Sequence, residues 1–368
     1  MFTKIEVQYI THVKTNRIHL DNLDCIRAIS LIYVLITHLF GLIEIPNHTY
    51  ISSQIRNLSH FGSFGVIGFF TLSSFLLASI LLKEKKKNKK IGIRNFYLRR
   101  ILRIFPLYFV SIGLVYLVDL SINRSSNINL LGLISFSENW QAYRNPVNNP
   151  LTHFWSISVE VQFYFLLPFV ISLKKNILNA ICLFGVVLAI ISRYFIATHA
   201  DYPAVWNFSS SHMDAIFLGI FLSLNIERIK AIFLKVKFLA LVHLLNFMAI
   251  IAFCFYEFPS VYASRWSSLT YFFVSLNFGI LIIAAVISEW TFVGKRILVY
   301  LGKRSYGMYI IHYPLIMFFL AINDKTLIAL RDLGLIFSIT LVVAELSYRY
   351  IEQPFLRVRR RFQAIETD

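Results

Sequence analysis

The sequence predicts an all-α integral membrane protein, a bundle of about ten transmembrane helices with both termini in the cytoplasm. Three observations favour this class. Hydrophobic residues make up 57% of the 368 residues, which include 35 Phe and 19 Tyr. Apolar runs of about 20 residues, the length that crosses a bilayer as a helix, recur along the whole chain. Lys and Arg concentrate on alternate connecting segments, which is typical of cytoplasmic loops.

The ten predicted spans cover residues 26–43, 61–82, 101–121, 153–173, 177–197, 208–226, 238–257, 268–288, 305–322 and 328–350. With the N-terminus inside, 29 of the 36 Lys and Arg residues fall on inner segments. The other seven lie outside or near outer helix ends: Arg56, Arg124, Arg144, Arg193, Arg265, Lys325 and Arg331. The net charge of +17 therefore reports topology. It favours a multi-pass protein of the plasma (inner) membrane, surrounded by the lipid bilayer, over a protein that binds nucleic acid.

The chain divides into three predicted parts. Residues 1–22 form a cytoplasmic tail that lacks the apolar core of a signal peptide. Residues 23–356 form one transmembrane domain, and residues 357–368 form a basic cytoplasmic tail. The three cysteines, Cys25, Cys182 and Cys254, show no paired spacing, so neither a disulfide framework nor a thiolate metal site is predicted.

The first span carries two ionisable residues that hydrocarbon disfavours, Arg27 and His38. Eleven helical steps separate them, which is about 16 Å along the axis. Ionisable residues inside a membrane mark a substrate path, a proton relay or a catalytic centre. The alternative is that Arg27 anchors the helix at the interface and His38 makes a hydrogen bond between helices.

Two kinds of basic residue precede the third span. The run from Lys83 to Lys90 fits a solvated face held to anionic lipid. Arg100 and Arg103, three apart on one helical face, follow at the membrane entrance beside aromatic residues. Because guanidinium groups bind phosphate through paired hydrogen bonds and stack on flat rings, these arginines favour a nucleotide-bearing cytosolic ligand.

The fourth span opens with His153 and carries Glu160 and Tyr164. Counted from its outer end, Glu160 lies about 10 Å deep, and His38 lies about 8 Å deep on the first span. This similar depth predicts an acid–base pair in which Glu160 orients His38 or stabilises its charged form. A buried structural ion pair is the alternative for Glu160. His153 shares its helical face, and Tyr164 adds a hydroxyl one turn deeper.

Later spans add further polar residues. His212 and Asp214 lie at the outer start of the sixth span, and His312 lies near the middle of the ninth. Glu352 follows the last span at the inner surface. For His312 and Glu352, structural and functional roles are equally open.

In their order and spacing, these segments resemble the acyltransferase 3 family of membrane acyltransferases, which modify surface glycans and related acceptors. The matching residues are Leu23-Asp24-Cys25-Ile26-Arg27-Ala28 with His38; Gly65-Val66, Phe69-Phe70 and Leu72-Ser73; Arg100 and Arg103 before Pro106-Leu107-Tyr108; Trp155-Ser156, Ser158-Val159-Glu160 and Gln162-Phe163-Tyr164; Gly302, Ser305-Tyr306, Tyr309, His312 and Pro314; and Glu352 with Pro354. The resemblance covers the chain from about residue 20 to residue 356.

The resemblance implies a ten-span acyltransferase core with an acyl-CoA donor at the cytoplasmic face. We expect no permanently bound cofactor and no metal. It places Arg100, Arg103 and Arg27 near the donor phosphates and makes His38 essential to transfer. Some relatives carry an extra extracytoplasmic hydrolase-like domain. We expect the membrane core or a separate partner to complete the acceptor chemistry here, because this chain ends soon after the tenth span.

The residues and the resemblance together predict an O-acyltransferase. It moves an acyl group, expected to be acetyl from acetyl-CoA, to a hydroxyl of a cell-surface or exported carbohydrate. The predicted catalytic residues are His38, acting as general base or as transient acyl carrier, and Glu160. The predicted substrate-binding residues are His153, Tyr164, Asp214 and His312. The competing hypothesis is a transporter of acyl groups or glycans, because ionisable residues also line permeation paths.

Overall fold

A computed structural model of the chain describes residues 4–42, 64–122, 128–144, 149–199, 204–233, 248, 267–323 and 328–362. These residues form helices and no β-strand, which confirms the predicted all-α class. The helices are α1 (Lys4–Phe40), α2 (Phe64–Asn88), α3 (Ile93–Ser121), α4 (Leu130–Ile134), α5 (Glu138–Arg144), α6 (Trp155–Ser172), α7 (Lys175–His199), α8 (Ala204–Asn207), α9 (Met213–Leu224), α10 (Ile226–Phe233), α11 (Ser267–Ile287), α12 (Lys295–Ile322), α13 (Leu333–Ser347) and α14 (Gln353–Arg359). Short 3₁₀ turns lie at Thr152–Phe154, Ser209–His212, Leu330–Asp332 and Arg360–Phe362, and a π-helical turn, Tyr348–Glu352, joins α13 to α14.

Within the described residues, eight helical stretches are long and apolar enough to cross a membrane. They are Asp21–Phe40, Phe64–Asn88, Ile93–Ser121, Thr152–Ser172, Lys175–His199, Ser268–Ile287, Lys295–Ile322 and Leu333–Phe362, and each matches a predicted span. The predicted sixth span, 208–226, corresponds to a shorter apolar helix, Ser209–Leu224. The predicted seventh span, 238–257, lies outside the described residues except for Met248. The chain is a multi-pass integral membrane protein.

Three helices begin closer to the N-terminus than the predicted spans do. Helix α3 starts at Ile93 rather than near residue 101, and α12 starts at Lys295 rather than near residue 305. Helix α1 starts at Lys4, so the sequence predicted as a tail continues the first span as one helix. The predicted spans begin later because hydropathy leaves out the charged first turns of these helices. The backbone hydrogen bonds of a helix nevertheless continue through such turns.

The bundle has a buried centre and a lipid-facing periphery. Helix α1 packs against α2 and α12, while α9 packs against α2 and α7. The apolar windows of α2 and α12 are each 67% buried, whereas those of α3 and α7 are 33% and 22% buried. Because the residues of α3 and α7 left exposed are mainly apolar, these two helices face the lipid.

Two glycines allow the central helices to approach closely. A Cβ at Gly65 would collide with the backbone carbonyl of Ser30, where α2 crosses α1. A Cβ at Gly302 would collide with the backbone of Asp24, where α12 crosses α1. Small residues at such crossings are typical of helix packing in membranes, and here they bring the polar residues of α1 against those of α12.

The C-terminal segment returns to the end of the bundle at which α3 begins, which is predicted to face the cytoplasm and is called the inner end. Helix α14 packs against α3, and the guanidinium of Arg99 donates a hydrogen bond to the Phe362 carbonyl, with Nη1 2.7 Å from the oxygen. Residues 357–362, predicted as part of a cytoplasmic tail, therefore contact the transmembrane domain. Residues 363–368 lie outside the described ranges.

Candidate active site

Three histidines from different parts of the chain meet towards the opposite end of the bundle, which is predicted to face outwards and is called the outer end. His38 comes from the last turn of α1, His153 from the 3₁₀ turn before α6, and His312 from the middle of α12. The ring centroids of His38 and His312 lie 5.0 Å apart, and those of His153 and His312 lie 5.2 Å apart. Nδ1 of His38 lies 3.0 Å from Nε2 of His312, which is hydrogen-bond distance. No group of three or more His, Cys, Asp or Glu side chains in the described ranges has the arrangement of a metal site.

The imidazole of His153 is buried, with 3% of the residue exposed, yet neither ring nitrogen makes a hydrogen bond of ordinary geometry with a described residue. Its neighbours are aromatic, with the Tyr309 and Tyr313 ring centroids 5.5 and 5.3 Å away. The Tyr309 hydroxyl donates to the His153 backbone carbonyl, with the oxygens 3.0 Å apart. Because a buried polar group without a partner is costly, this ring is a candidate for ligand contact.

The sequence of α12 explains how its polar groups reach the cluster. Tyr309 and His312 are three residues apart and therefore share a helical face. His312 contacts His38 of α1, and the Tyr309 hydroxyl contacts Ser156 of α6. Pro314 carries no N–H and cannot bond the carbonyl four residues back, at Ile310. That carbonyl interacts with the His153 imidazole, so the helix-breaking residue leaves a polar backbone group beside the histidines.

Glu160 lies in a second cluster and not against His38. The Ser73 hydroxyl donates to Oε1 of Glu160, with the oxygens 2.5 Å apart. The same hydroxyl lies 3.2 Å from the Tyr164 hydroxyl. These three residues come from α2 and α6 and form what we call the central polar cluster.

The predicted contact between Glu160 and His38 is therefore corrected. The depth estimate placed His153 at the outer surface, whereas residues 149–154 fold into the bundle and His153 itself lies level with His38. Glu160 is seven residues further along, which is about 10 Å deeper along α6. His312 takes the position beside His38 that the sequence analysis assigned to Glu160.

The three predicted donor-site arginines differ in what holds them. Arg27 forms an ion pair with Asp24 on its own helix. Nη1 of Arg103 lies 3.3 Å from Oε2 of Glu352, and its guanidinium lies 5.5 Å from the Tyr306 ring centroid. Both guanidinium groups therefore already have a carboxylate partner.

Arg100 forms no ion pair with any described residue, and its buried Nε has no hydrogen-bond partner there. Its guanidinium lies 5.9 Å from the Tyr164 ring centroid, within reach of a cation–π interaction. Glu160 exerts an electrostatic effect on it without forming a salt bridge. Of the three predicted arginines, Arg100 is the one without a carboxylate partner among the described residues, so its charge is available to an anionic group.

Arg359 also lies at this inner end, and it was not among the residues predicted from the sequence. Its charge is repelled by those of Arg100, Arg103, Arg27 and Arg99, and its buried Nε has no partner among the described residues. The signal in the sequence was only a basic C-terminal segment. In the fold, α14 packs against α3, and this contact brings Arg359 to the inner end.

Asp214 forms a buried ion pair with Arg193. Its Oδ2 lies 2.7 Å from Nη2 of Arg193, and both residues are buried. The same guanidinium donates to the Ser268 carbonyl, at 2.7 Å from Nη2 and 3.2 Å from Nε. Nε2 of the neighbouring His212 lies 2.8 Å from the Trp206 carbonyl. This arrangement favours a structural role for Asp214 over the predicted contact with substrate.

One carboxyl group of the outer segment titrates near neutrality. Glu138, in the first turn of α5, is buried, and its Oε2 has no hydrogen-bond partner among the described residues. Burial raises the pKa of this carboxyl to about 7, while a hydrogen bond with the Asn149 side chain lowers it. Desolvation disfavours the charged form more than this one hydrogen bond stabilises it.

Comparison with known proteins gives a consistent result. A family model described as an acyltransferase domain matches residues 20–348. A Staphylococcus aureus (strain NCTC 8325) protein named "O-acetyltransferase OatA" is 26% identical over 91% of this chain and 57% of its own length. A Bacillus subtilis (strain 168) protein named "Putative peptidoglycan O-acetyltransferase YrhL" is 25% identical over 93% of this chain and 56% of its own length.

The chain thus spans a little over half the length of these curated relatives. No solved structure matches it. The apolar helices and these relatives bear out the predicted location, a multi-pass protein of the plasma membrane. The family model covers nearly the whole transmembrane domain, so this chain belongs to the acyltransferase domain family.

Proposed function

We propose that the protein transfers an acetyl group from acetyl-CoA, bound at the inner face, to a hydroxyl of a cell-envelope carbohydrate at the outer face. The observation that carries the proposal is the His38–His312 hydrogen bond, which engages Nδ1 of His38 and leaves Nε2 without a side-chain partner among the described residues. The names of the relatives support O-acetyl transfer, and one of those names supports peptidoglycan as the acceptor.

The donor phosphates bind at the arginines of the inner end. Arg100 and Arg359 form no ion pair with any described residue, so a diphosphate neutralises charge there without breaking an existing salt bridge. Tyr164 lies beside Arg100 and is eleven residues from His153, which is about 16 Å along the helix. The flexible pantetheine arm of CoA extends over such a distance and brings the thioester to the histidines.

In the transfer step the acceptor oxygen attacks the thioester carbonyl carbon. The new C–O bond forms, the C–S bond breaks, and the sulfur leaves as the CoA thiolate. His38 takes the proton of the acceptor hydroxyl and returns it to that thiolate, so protons and charge balance. A two-step route through an acetyl-imidazole on His38 uses the same atoms in a different order. His153, whose buried ring nitrogens make no hydrogen bond of ordinary geometry with a described residue, stabilises the carbonyl oxygen as it becomes negative.

The test measures two products in inside-out membrane vesicles supplied with acetyl-labelled acetyl-CoA: free CoA thiol, and label in the cell-envelope glycan. Wild type is expected to produce both, and His38→Ala neither. His199→Ala, which changes an exposed histidine at the end of α7, is the matched control and keeps full activity. Thiol release that is equal in wild type and His38→Ala refutes the proposal. Counterflow of intact solute without thioester cleavage points to a transporter instead.

The donor site is tested by steady-state kinetics. Arg100→Ala is expected to raise the KM for acetyl-CoA about ten- to a hundredfold, because hydrogen bonds to a charged group contribute about 1.5–3 kcal/mol each. The KM for the acceptor stays unchanged. Arg94→Ala removes an exposed arginine at the start of the same helix and serves as the control. An unchanged donor KM in Arg100→Ala refutes this placement of the phosphates.

A further inference from the structure

We propose that His312 is a positioning residue that fixes the tautomer of His38, with a neutral imidazole in the place that a carboxylate occupies in a catalytic triad. This inference rests on the proposed function, because it assigns His38 the reactive nitrogen of that reaction. It follows from the hydrogen-bond chemistry of three groups in a row: the backbone of α12, His312 and His38.

The first step concerns Nδ1 of His312. This nitrogen lies 2.7 Å from the Tyr309 carbonyl oxygen and 3.2 Å from that of Met308. A carbonyl oxygen accepts hydrogen bonds and never donates them. Nδ1 of His312 must therefore carry the proton, whichever of the two oxygens receives it.

The second step follows from the neutrality of a buried ring. His312 is 1% exposed, and no acidic side chain makes a hydrogen bond with it among the described residues. Burial without an anionic partner favours the neutral imidazole, which carries one proton. With that proton on Nδ1, Nε2 of His312 bears a lone pair and accepts a hydrogen bond.

The third step passes this constraint to His38. Its Nδ1 lies 3.0 Å from Nε2 of His312, and two lone pairs at that distance would repel each other. Nδ1 of His38 therefore carries a proton and donates a hydrogen bond to Nε2 of His312. In neutral His38 the lone pair must then lie on Nε2, and this nitrogen is the one that acts as base or nucleophile.

The fourth step is orientation. The Tyr313 ring packs edge-on against His38, with ring centroids 4.9 Å apart. Nε2 of His312 accepts the hydrogen bond from Nδ1 of His38. A partner that accepts at Nδ1 prevents the ring from flipping, since a flip would replace the N–H donor with carbon. The chain of bonds from the α12 backbone through His312 to His38 thus keeps one nitrogen of one ring aimed at the substrate.

The experiment compares two substitutions that differ in where they place an amide. The side-chain amide of Gln reaches the position of Nε2, so His312→Gln keeps an acceptor for His38. The shorter side chain of Asn reaches only the position of Nδ1, so His312→Asn retains the contact with the backbone and loses the one with His38. His312→Phe keeps the ring volume and loses both hydrogen bonds.

We expect His312→Asn and His312→Phe to lower kcat about 10²- to 10⁴-fold, the range seen when a triad histidine loses its orienting partner. The KM for acetyl-CoA stays within about twofold, because the donor phosphates bind far from His312. His312→Gln is expected to retain activity within about tenfold of wild type. Each variant is first checked for a monodisperse elution profile and a melting temperature near that of wild type in detergent.

Two outcomes overturn the inference. One is a folded His312→Asn variant with wild-type kcat. The other is a folded His312→Gln variant as inactive as His312→Phe, because His312 would then act through some property other than an acceptor at Nε2. Failure of the proposed function gives a different result, namely a wild-type protein that releases no CoA thiol from any acyl-CoA in the same assay.

Discussion

Removing Arg193 should destabilise the protein without acting on the chemistry. In Arg193→Leu the Asp214 carboxylate remains buried without its ion-pair partner, and the Ser268 carbonyl loses its donor. Breaking a buried pair from one side costs about 3–5 kcal/mol. The Tyr271 ring also loses a guanidinium 5.2 Å from its centroid. At about 2–4 °C per kcal/mol, this loss lowers the melting temperature by about 6–20 °C.

The assay is thermal unfolding of the purified protein in detergent, followed by the fraction that still elutes as a monodisperse peak after heating. The control is Glu227→Gln, which breaks the exposed Lys230–Glu227 pair on α10, 3.5 Å between charged atoms. An exposed pair contributes about 0–1 kcal/mol, so the control shifts the melting temperature by less than about 4 °C. The double variant Arg193→Leu with Asp214→Leu should recover much of the loss, because it leaves no unpaired charge.

The competing role for Asp214 is the predicted contact with the acceptor. That role makes a different forecast: Asp214→Asn would raise the acceptor KM strongly and leave the melting temperature within about 2 °C of wild type. Such a result would refute the structural assignment and return Asp214 to the substrate-binding residues. The opposite result, a lower melting temperature with an unchanged acceptor KM in the surviving fraction, supports it.

Two further predictions concern stability. Burial raises the Glu138 pKa from its ordinary value of 4.5 to about 7, so the folded state holds a proton that the unfolded state has released in this pH window. Stability should therefore fall as pH rises from 4.5 to 7, by up to about 3 kcal/mol. Glu138→Gln should abolish this fall when melting temperatures are measured across that window, and an identical pH dependence in wild type and variant contradicts the reasoning. Gly302→Ala should cost about 1–3 kcal/mol, because the Asp24 backbone blocks the new methyl group. Gly113→Ala, on the lipid-facing side of α3 with open space around it, should be neutral or stabilise by up to about 1 kcal/mol, and equal effects of the two alanines would argue against the close crossing of α1 and α12.

The fold could be predicted well from the sequence because hydropathy reports the property that a membrane selects. Eight predicted spans correspond to apolar helices of spanning length. The inner ends were predicted too short because the turns at Ile93 and Lys295 are charged but still helical. The predicted span 208–226 corresponds to the shorter apolar stretch Ser209–Leu224, whose first turn, Ser209–His212, is a 3₁₀ helix.

Pairings between helices were harder to predict than residues along one helix. The Arg27–His38 spacing lies within α1 and could be read from the sequence. Which side chain faces His38 depends on the rotation and neighbours of each helix, and counting residues gives depth only. Glu160 was given the wrong partner because the turn at Thr152–Phe154 lies inside the bundle, a feature that no hydropathy pattern encodes.

The two ends of the site differ in charge, and this difference bears on the side from which each substrate approaches. At the inner end, three arginines pair with Asp24, Glu84 and Glu352. Arg100 and Arg359 remain without an ion pair among the described residues, although Glu160 attracts the charge of Arg100. At the outer end, the cluster consists of histidines and tyrosines that are neutral when buried. An excess of positive charge favours a polyanion at the inner face, and neutral hydrogen-bonding groups favour a hydroxyl at the outer face. Under the proposed function, this distribution is expected of a charged donor and a neutral acceptor that approach His38 from opposite sides.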